Sequence, residues 1–271
     1  MKWRFDLLDA GVYAGALGSL DLLRRVARGE ASLETLMAAP GALPPPLRLA
    51  ASERRRASQA VRLVMACVEQ VLAQPAVATA ELRCIFAADE GTGEICPQLL
   101  EAVTTTRQVS PMVFTNSVQN APSGYFAIGY HNRRSATVIS QGLESFACGL
   151  LCSLAELDES PSPVLLVTYD PVMSAPLSEL HPVPDAYASA WLMAPAGALP
   201  GALARFEVEL LPQTDRAMGP LPGWWPARWA GLASTPSIAA LALLEAGVGA
   251  SMSLPLNGVV LTLRRIDGSA A

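Results

Sequence analysis

The stretch SPMVFTNSVQNAPSGYFAIGYHNRRSATVISQGLESFACGLL, Ser110 to Leu151, sets the reading of the whole chain. Its second half passes from a β-branched run, Ala136 to Ser140, through Gln141 and Gly142 into a segment of helical period. There Leu143, Phe146, Ala147, Leu150, Leu151, Leu154 and Leu157 form a wide apolar stripe, and Cys148 widens it. A helix dry around most of its circumference belongs between layers or at a subunit interface. A strand turning into such a helix reads like the surroundings of a reactive residue, but no obvious nucleophile stands at the turn.

Working outward, Leu82 to Ala88 and PVLLVTYD read as further buried strands, the first ending in the loop DEGTGE. CPQLLEAVTTT reads as a helix, as does Ser52 to Ala73, where Val61, Met65, Val68 and Leu72 keep helical spacing. One or two short helices are expected in residues 19–37. APGALPPPL, Ala39 to Leu47, is expected to be a semi-rigid connector, because proline joins neither a helix interior nor a central strand. In the last third AYASAWLMAP, RFEVELLP and GVVLTLRRI read as strands, with one helix near Ser237 to Glu245. Buried strands alternating with helices predict a layered α/β domain.

The 271 residues are 51% hydrophobic and 16% charged, enough for one sizeable core. A net charge of −5 argues against a broad nucleic-acid surface. Lys2 is the only lysine, which disfavours Schiff-base or phosphate-gripping lysine chemistry. Asp6 and Asp9 interrupt the apolar run a signal peptide needs, so the N-terminus reads as mature protein. No run of about 18 apolar residues marks a transmembrane segment. Five cysteines, at 67, 84, 96, 148 and 152, contain no CxxC pair and no metal-ligand spacing; a cytoplasmic protein with buried thiols, no metal and no cofactor is expected.

GxSxG, Walker and HExxH patterns are absent. The GxG of DEGTGE is weak by itself, and Asp89, Glu90 and Glu94 read as solvated loop charges with cation binding as the other role open to them. His131 and His181 lie in polar loops. Cys148 and Cys152 share one helix face among apolar neighbours, which does not lower a thiol pKa. Trp224, Trp225 and Trp229 read as packing residues, a ligand contact being their alternative role. Arg54, Arg55 and Arg56, with Arg133 and Arg134, are the densest basic spots: solvated surface, or the landing site of an acidic partner.

Four segments together resemble the N-terminal half of the β-ketoacyl synthases: LRCIFAADEGTGEICPQLLEAV, VSPMVFTNSVQNAPSGYFAIGY, ATVISQGLESFACGLLCSLAEL and PVLLVTYDPVMSAPL. The nearest likeness is to the short chain-length-factor proteins of aryl polyene pathways. Their SPxxFxxSVxNAxxG segment stands here as Ser110, Pro111, Phe114, Ser117, Val118, Asn120, Ala121 and Gly124, with Gln119 where histidine is usual. PPPLRLAASERRRAS also resembles the group. The likeness spans residues 44–177 of a single 1–271 domain and fades over 178–271.

The resemblance implies a thiolase-like α/β fold, normally two similar βαβαβ halves, whose nucleophilic cysteine sits between a strand and a buried helix. Aligning that turn on ISQGLESF brings Ser140, Gln141 and Gly142 to the approach and Leu143 to the nucleophile's place, so no catalytic residue is expected. An offset of one or two residues brings Gln141 or Glu144 there, and still no thiol. The family pairs the strand before this helix with a partner's. By analogy, ATVIS would face a catalytic ketosynthase, and Ser117, Gln119, Asn120, Gly124, Tyr125, Phe126, Ser140, Gln141 and Leu143 would shape an interface or tunnel end. The implied role is a non-catalytic chain-length-factor-like subunit in type II polyketide or aryl polyene (fatty-acid-like) synthesis, working with an acyl carrier protein received at the arginine spots. Two other readings stay open: an independent acyl hydrolase or acyltransferase using Ser140 or Cys148, and an acyl-binding scaffold homodimer.

Overall fold

Runs of β-branched and aromatic residues bounded by Gly, Pro and Asp fold as strands, and their period-2 pattern sends successive side chains to opposite faces. The computed structural model describes residues 1–37, 42–73, 77–93, 95–212, 221–229 and 231–267. Its strands are β1 (Lys2–Ala14), β2 (Arg83–Ala87), β3 (Ala136–Ile139), β4 (Val164–Asp170), β5 (Tyr187–Pro195), β6 (Ala204–Pro212), β7 (Ser251–Leu256) and β8 (Val259–Ile266). They form one sheet in the order β3-β2-β4-β5-β1-β6-β8-β7. β3, β2 and β4 run parallel, and every other pairing is antiparallel.

The helices are α1 (Leu20–Ala27), α2 (Leu33–Met37), α3 (Ala51–Arg56), α4 (Gln59–Val71), α5 (Ile95–Thr105), α6 (Pro111–Thr115), α7 (Ala121–Tyr130), α8 (Ser145–Glu159), α9 (Thr235–Leu241) and α10 (Leu243–Ala246). The single helix expected over Ser52 to Ala73 is two. Ala57 is extended, and the Ser58 hydroxyl caps α4 by accepting the Val61 N–H; serine satisfies a free helix-end donor better than it serves a helix interior. The connector's residues 39–41 and Glu94 lie outside the described residues.

Each face of the sheet has its own core. Cys84, Phe86, Leu165 and Val167 pack under α4 and α7, while the alternate residues Ile85, Val164 and Leu166 meet α8. α8 touches β2, β3, β4 and β5 and also β7, strands from opposite ends of one sheet. The sheet therefore curls around this helix, which explains why the helix is apolar nearly all round. The two halves that the resemblance implies are not built as two sheets among the described residues: β6, β8 and β7 extend the first sheet, and β7 meets α8 from the far side.

Two strands were not legible as strands. β1 lies in the middle of the sheet, between β5 and β6, despite Asp6 and Asp9. Asp6 is buried and bound by Arg205 Nε at 2.6 Å and the Gly197 N–H at 2.7 Å. Asp9 sits at a register shift, its carboxylate accepting the Ala10 N–H. β7, where no strand is expected from the sequence, pairs with β8 through Asn257 and Gly258, whose φ angles of 40° and 85° fit a two-residue hairpin turn. The tryptophans pack as expected: Trp229 is buried, edge-on to Trp225 and Tyr187, with its Nε1 donating to Asp185.

Candidate functional site

Parallel strands bring their carboxyl ends to one rim, and ligand sites of open α/β sheets lie there. On this rim β2 runs into Asp89, β3 into Ser140, and β4 ends at Asp170. Their loops are knitted by backbone carbonyls. Ser140 Oγ donates to the Asp89 carbonyl at 2.5 Å, and Gln119 Nε2 reaches the same carbonyl at 3.4 Å. Tyr169 Oη donates to the Gln119 carbonyl, fixing the loop before α7 against β4. Gly91 allows the approach, since a Cβ there would stand 3.3 Å from Gln119 Cγ.

Asp170 is the electrostatic centre of this rim. Burial pushes its carboxyl above the usual range, and the Ser234 and Asp89 N–H groups pull the other way at 2.7 and 3.4 Å. The neighbouring Tyr169 phenol is pushed up by burial and by that carboxylate. His181 Nε2 lies 3.0 Å from Asp89 Oδ2.

The turn into α8 is tight. Gly142 has φ 56°, Ser145 Oγ donates to the Gly142 carbonyl at 2.7 Å, and it accepts the Gln141 N–H at 3.0 Å. Leu143 emerges from this turn 55% exposed, beside a cavity of about 450 Å³. Phe146, Ala147, Leu232, Pro236 and Leu254 give the cavity apolar walls. Across it, Glu144 accepts the Asn257 N–H at 2.8 Å and ties the β7–β8 turn to the start of α8.

A nucleophile at this spot would have the helix dipole and free amides of the first turn to depress its pKa. Leu143 has no such atom. The cysteines of α8 lie further along and partly buried, and burial with the nearby Cys148 pushes the Cys152 thiol up to about 11. Cys67 and Cys84 are buried in the opposite core, and burial raises both thiols. Ser140 meets a backbone carbonyl; among the described residues no histidine or carboxylate side chain bonds its hydroxyl, so no activated serine is assembled.

The expected interface residues separate into groups. Gln119 and Ser140 converge on the Asp89 carbonyl, and Gln141 and Leu143 share the turn into α8. Asn120, just before α7, and Gly124, on it, are exposed, with open space over Gly124. Ser117 is half-buried and donates to the Phe114 carbonyl. Tyr125 is buried beside a second cavity of about 460 Å³ that also touches Arg56 and Met112. Phe126 needs correcting: it is 1% exposed and packs between Phe86 and Tyr130, because α7 turns this side toward β2, so it belongs to the chain's own core. Arg54, Arg55 and Arg56 close α3, whereas Arg134 is engaged by Glu81 at 2.9 Å.

Asp170, Tyr169, the Asp89–His181 contact and the Glu144–Asn257 tie were not singled out from the sequence. Acidic residues directly after buried strands were the available signal for the first and third; the tie between Glu144 and Asn257 links residues far apart in the chain and had none.

The sequence pattern of the family described as Beta-ketoacyl synthase, N-terminal domain, matches residues 31–218. Among solved structures, a chain of "Ketosynthase (ApeO) in Complex with its Chain Length Factor (ApeC) from Xenorhabdus doucetiae" is similar, with TM-score 0.70 and 17% identity over 97% of this chain and 99% of that one. A chain of "The ishigamide ketosynthase/chain length factor" gives TM-score 0.70 and 13% identity, over 97% and 100%. "AntDE:AntF (apo): type II PKS acyl-carrier protein in complex with its ketosynthase bound to the hexaketide" gives 0.63 and 10%, over 79% and 71%. At these identities the likeness is one of fold. No curated protein matches the sequence.

Proposed function

We propose that this chain, which belongs to the β-ketoacyl synthase N-terminal domain family, is a chain-length-factor-like subunit of a heterodimeric ketosynthase and performs no condensation itself. The observation that carries the proposal is Leu143: a formed turn, a buried helix and an adjoining cavity surround a side chain that cannot attack a thioester. The decarboxylative Claisen step then belongs to the partner, and substrates arrive on an acyl carrier protein in a cytoplasmic polyketide or aryl polyene pathway.

The sheet edges support a partner at β3. β3 carries no proline and no charge, and its residues are exposed or half-buried. β7, the opposite edge, carries Pro255 next to its C-terminal end, a residue that disfavours strand addition there. Leu100, Val103, Met112, Phe114, Val118 and Leu143, all in the segments between β2 and α8, are each 47–62% exposed. Apolar exposure of that extent marks a covered surface. On this reading Gln119, Asn120 and Leu143 limit the growing chain from this subunit once the partner covers them, because compressing an acyl chain against a packed wall costs about 1–3 kcal/mol.

Co-expression with a ketosynthase from the same organism tests the reading. The expected result is a stable one-to-one complex that elongates carrier-bound acyl groups, with all acyl-enzyme on the ketosynthase chain by mass spectrometry. An acyl adduct on this chain, or a monomer with no affinity for the ketosynthase, would overturn it.

A further inference from the structure

The last carbonyls of a helix have no partner within it, and α3 ends at Arg56. Asn116, just after α6, takes one of them: its Nδ2 donates to the Arg56 carbonyl and to the Met112 carbonyl, both at 3.0 Å. Two acceptors on the nitrogen decide which end of the amide is which. The oxygen therefore turns away from both carbonyls. Asn116 is 5% exposed, and among the described residues its Oδ1 is buried with no partner. An acceptor buried and left unpaired costs stability, so this atom awaits a donor.

Asn116 lines the cavity of about 460 Å³ that α3, α6 and α7 enclose, a size within the range of small-molecule sites. Glu53 and Arg56 line it too, 3.8 Å apart, which is too long for a hydrogen bond. Tyr125 adds a phenol pushed above its usual range by burial and then by Glu53, with Asn116 and Arg56 acting the other way. Four polar side chains thus act on one place, and Met112 gives it an apolar wall. Their charges select among ligands. A lone cation would face Arg56, and a lone anion would face Glu53. A molecule with an ammonium and a carboxylate a few atoms apart suits both: the ammonium donates to Glu53 and Asn116 Oδ1, and the carboxylate accepts from Arg56 and the Tyr125 O–H. Charge-assisted bonds of that kind are stronger than the long, exposed ion pair they replace.

We propose that the cavity between α3, α6 and α7 binds a free amino acid with an apolar side chain, held at its ammonium by Glu53 and Asn116 and at its carboxylate by Arg56 and Tyr125. The ligand's side chain packs on Met112 and the Tyr125 ring. The site is independent of the chain-length-factor reading and stands whether or not the chain pairs with a ketosynthase.

The test is isothermal titration of the full-length chain at pH 7 with L-leucine, L-methionine and L-phenylalanine, each up to about 10 mM. At least one is expected to bind. N-acetyl-L-leucinamide, which keeps N–H donors but neither charge, and 3-methylbutylamine, which is leucine without its carboxylate, should bind about tenfold or more weakly than leucine. Asn116 also braces two helix ends, so the variants are E53Q and R56Q, on a helix that buries no residue. Each is expected to melt within a few degrees of wild type and to weaken the tightest amino acid about tenfold or more, as the loss of one charged contact implies. No binding by any of the three amino acids would mean that water or a partner's side chain serves Asn116, and would overturn the site. Unchanged affinity in E53Q or R56Q, or equal binding of N-acetyl-L-leucinamide, would overturn it as well.

Discussion

At the scale of single residues, three positions show how closely this rim and core are specified. The Asp170 carboxyl is raised above its ordinary 3.8 by burial, so the folded state holds that proton more tightly than the unfolded chain does. Its favourable contribution is complete below that value and is lost as pH rises through the folded pKa. Asp170→Asn removes the slope and turns an NH2 group toward one of two N–H donors, at a cost of about 1–3 kcal/mol. In urea melts from pH 4 to 7 the wild-type advantage should narrow as pH rises; a constant or widening gap contradicts the assignment. Two glycines can be ranked in the same way. A Cβ on Gly11 would stand 2.2 Å from the backbone carbonyl oxygen of Cys67, while one on Gly149 would meet the Leu166 methyl at 2.9 Å and Ala87 Cβ at 3.0 Å. A leucine methyl can turn and a helix carbonyl cannot. Thermal melts should show Gly11→Ala losing about 3 kcal/mol or more and Gly149→Ala about 1–2.

At the scale of elements, the β3 edge carries the subunit proposal. The Ile139 carbonyl accepts the Ala88 N–H on the β2 side. In a strand both backbone groups of one residue point the same way and alternate along the chain, so the Val138 N–H faces outward. Val138→Pro therefore removes a donor that the β2 ladder does not use, and an edge strand tolerates it. The expected outcome is a melting temperature within a few degrees of wild type and loss of the ketosynthase complex on size-exclusion chromatography. A complex that survives would exclude pairing through β3. β3 itself, α8 and the turn between them were legible because β-branched residues, a glycine and a 3.6-residue stripe follow one another without interruption. β1 and β7 were not, for different reasons: β1 carries two aspartates whose roles appear only in the folded sheet, and β7 is a short strand marked only by the turn that follows it. Asp6 needs Arg205, Asp9 needs a bulge, and β7 needs the β8 strand beyond an Asn-Gly turn. The rim was half legible: Ser140, Gln141 and Leu143 follow from local order, but Asp170 and His181 meet Asp89 only after the strands are laid side by side.

At the scale of the whole molecule, the family match and the folding unit do not coincide. The match runs over residues 31–218, whereas the strand joining the parallel part of the sheet to its C-terminal extension is β1, residues 2–14. β1 pairs with β6 only from Lys2 to Leu7 and with β5 from Phe5 to Ala14. Past the end of β6, Gln70 takes over, its side-chain amide accepting the Val12 N–H and donating to the Val12 carbonyl, both at 3.1 Å. Phe5, Leu7 and Val12 are completely buried. Three such side chains contribute about 5–9 kcal/mol by burial, comparable with the ~5–15 kcal/mol net stability of a typical domain. The sheet also curls around α8 only if β5 and β6 are held by a common neighbour. A chain lacking residues 1–14 should therefore show no cooperative urea transition by tryptophan fluorescence, although every residue of the family match is retained. A cooperative transition near the wild-type midpoint would mean that β5 and β6 can close on each other, and that the central strand is dispensable to the curl.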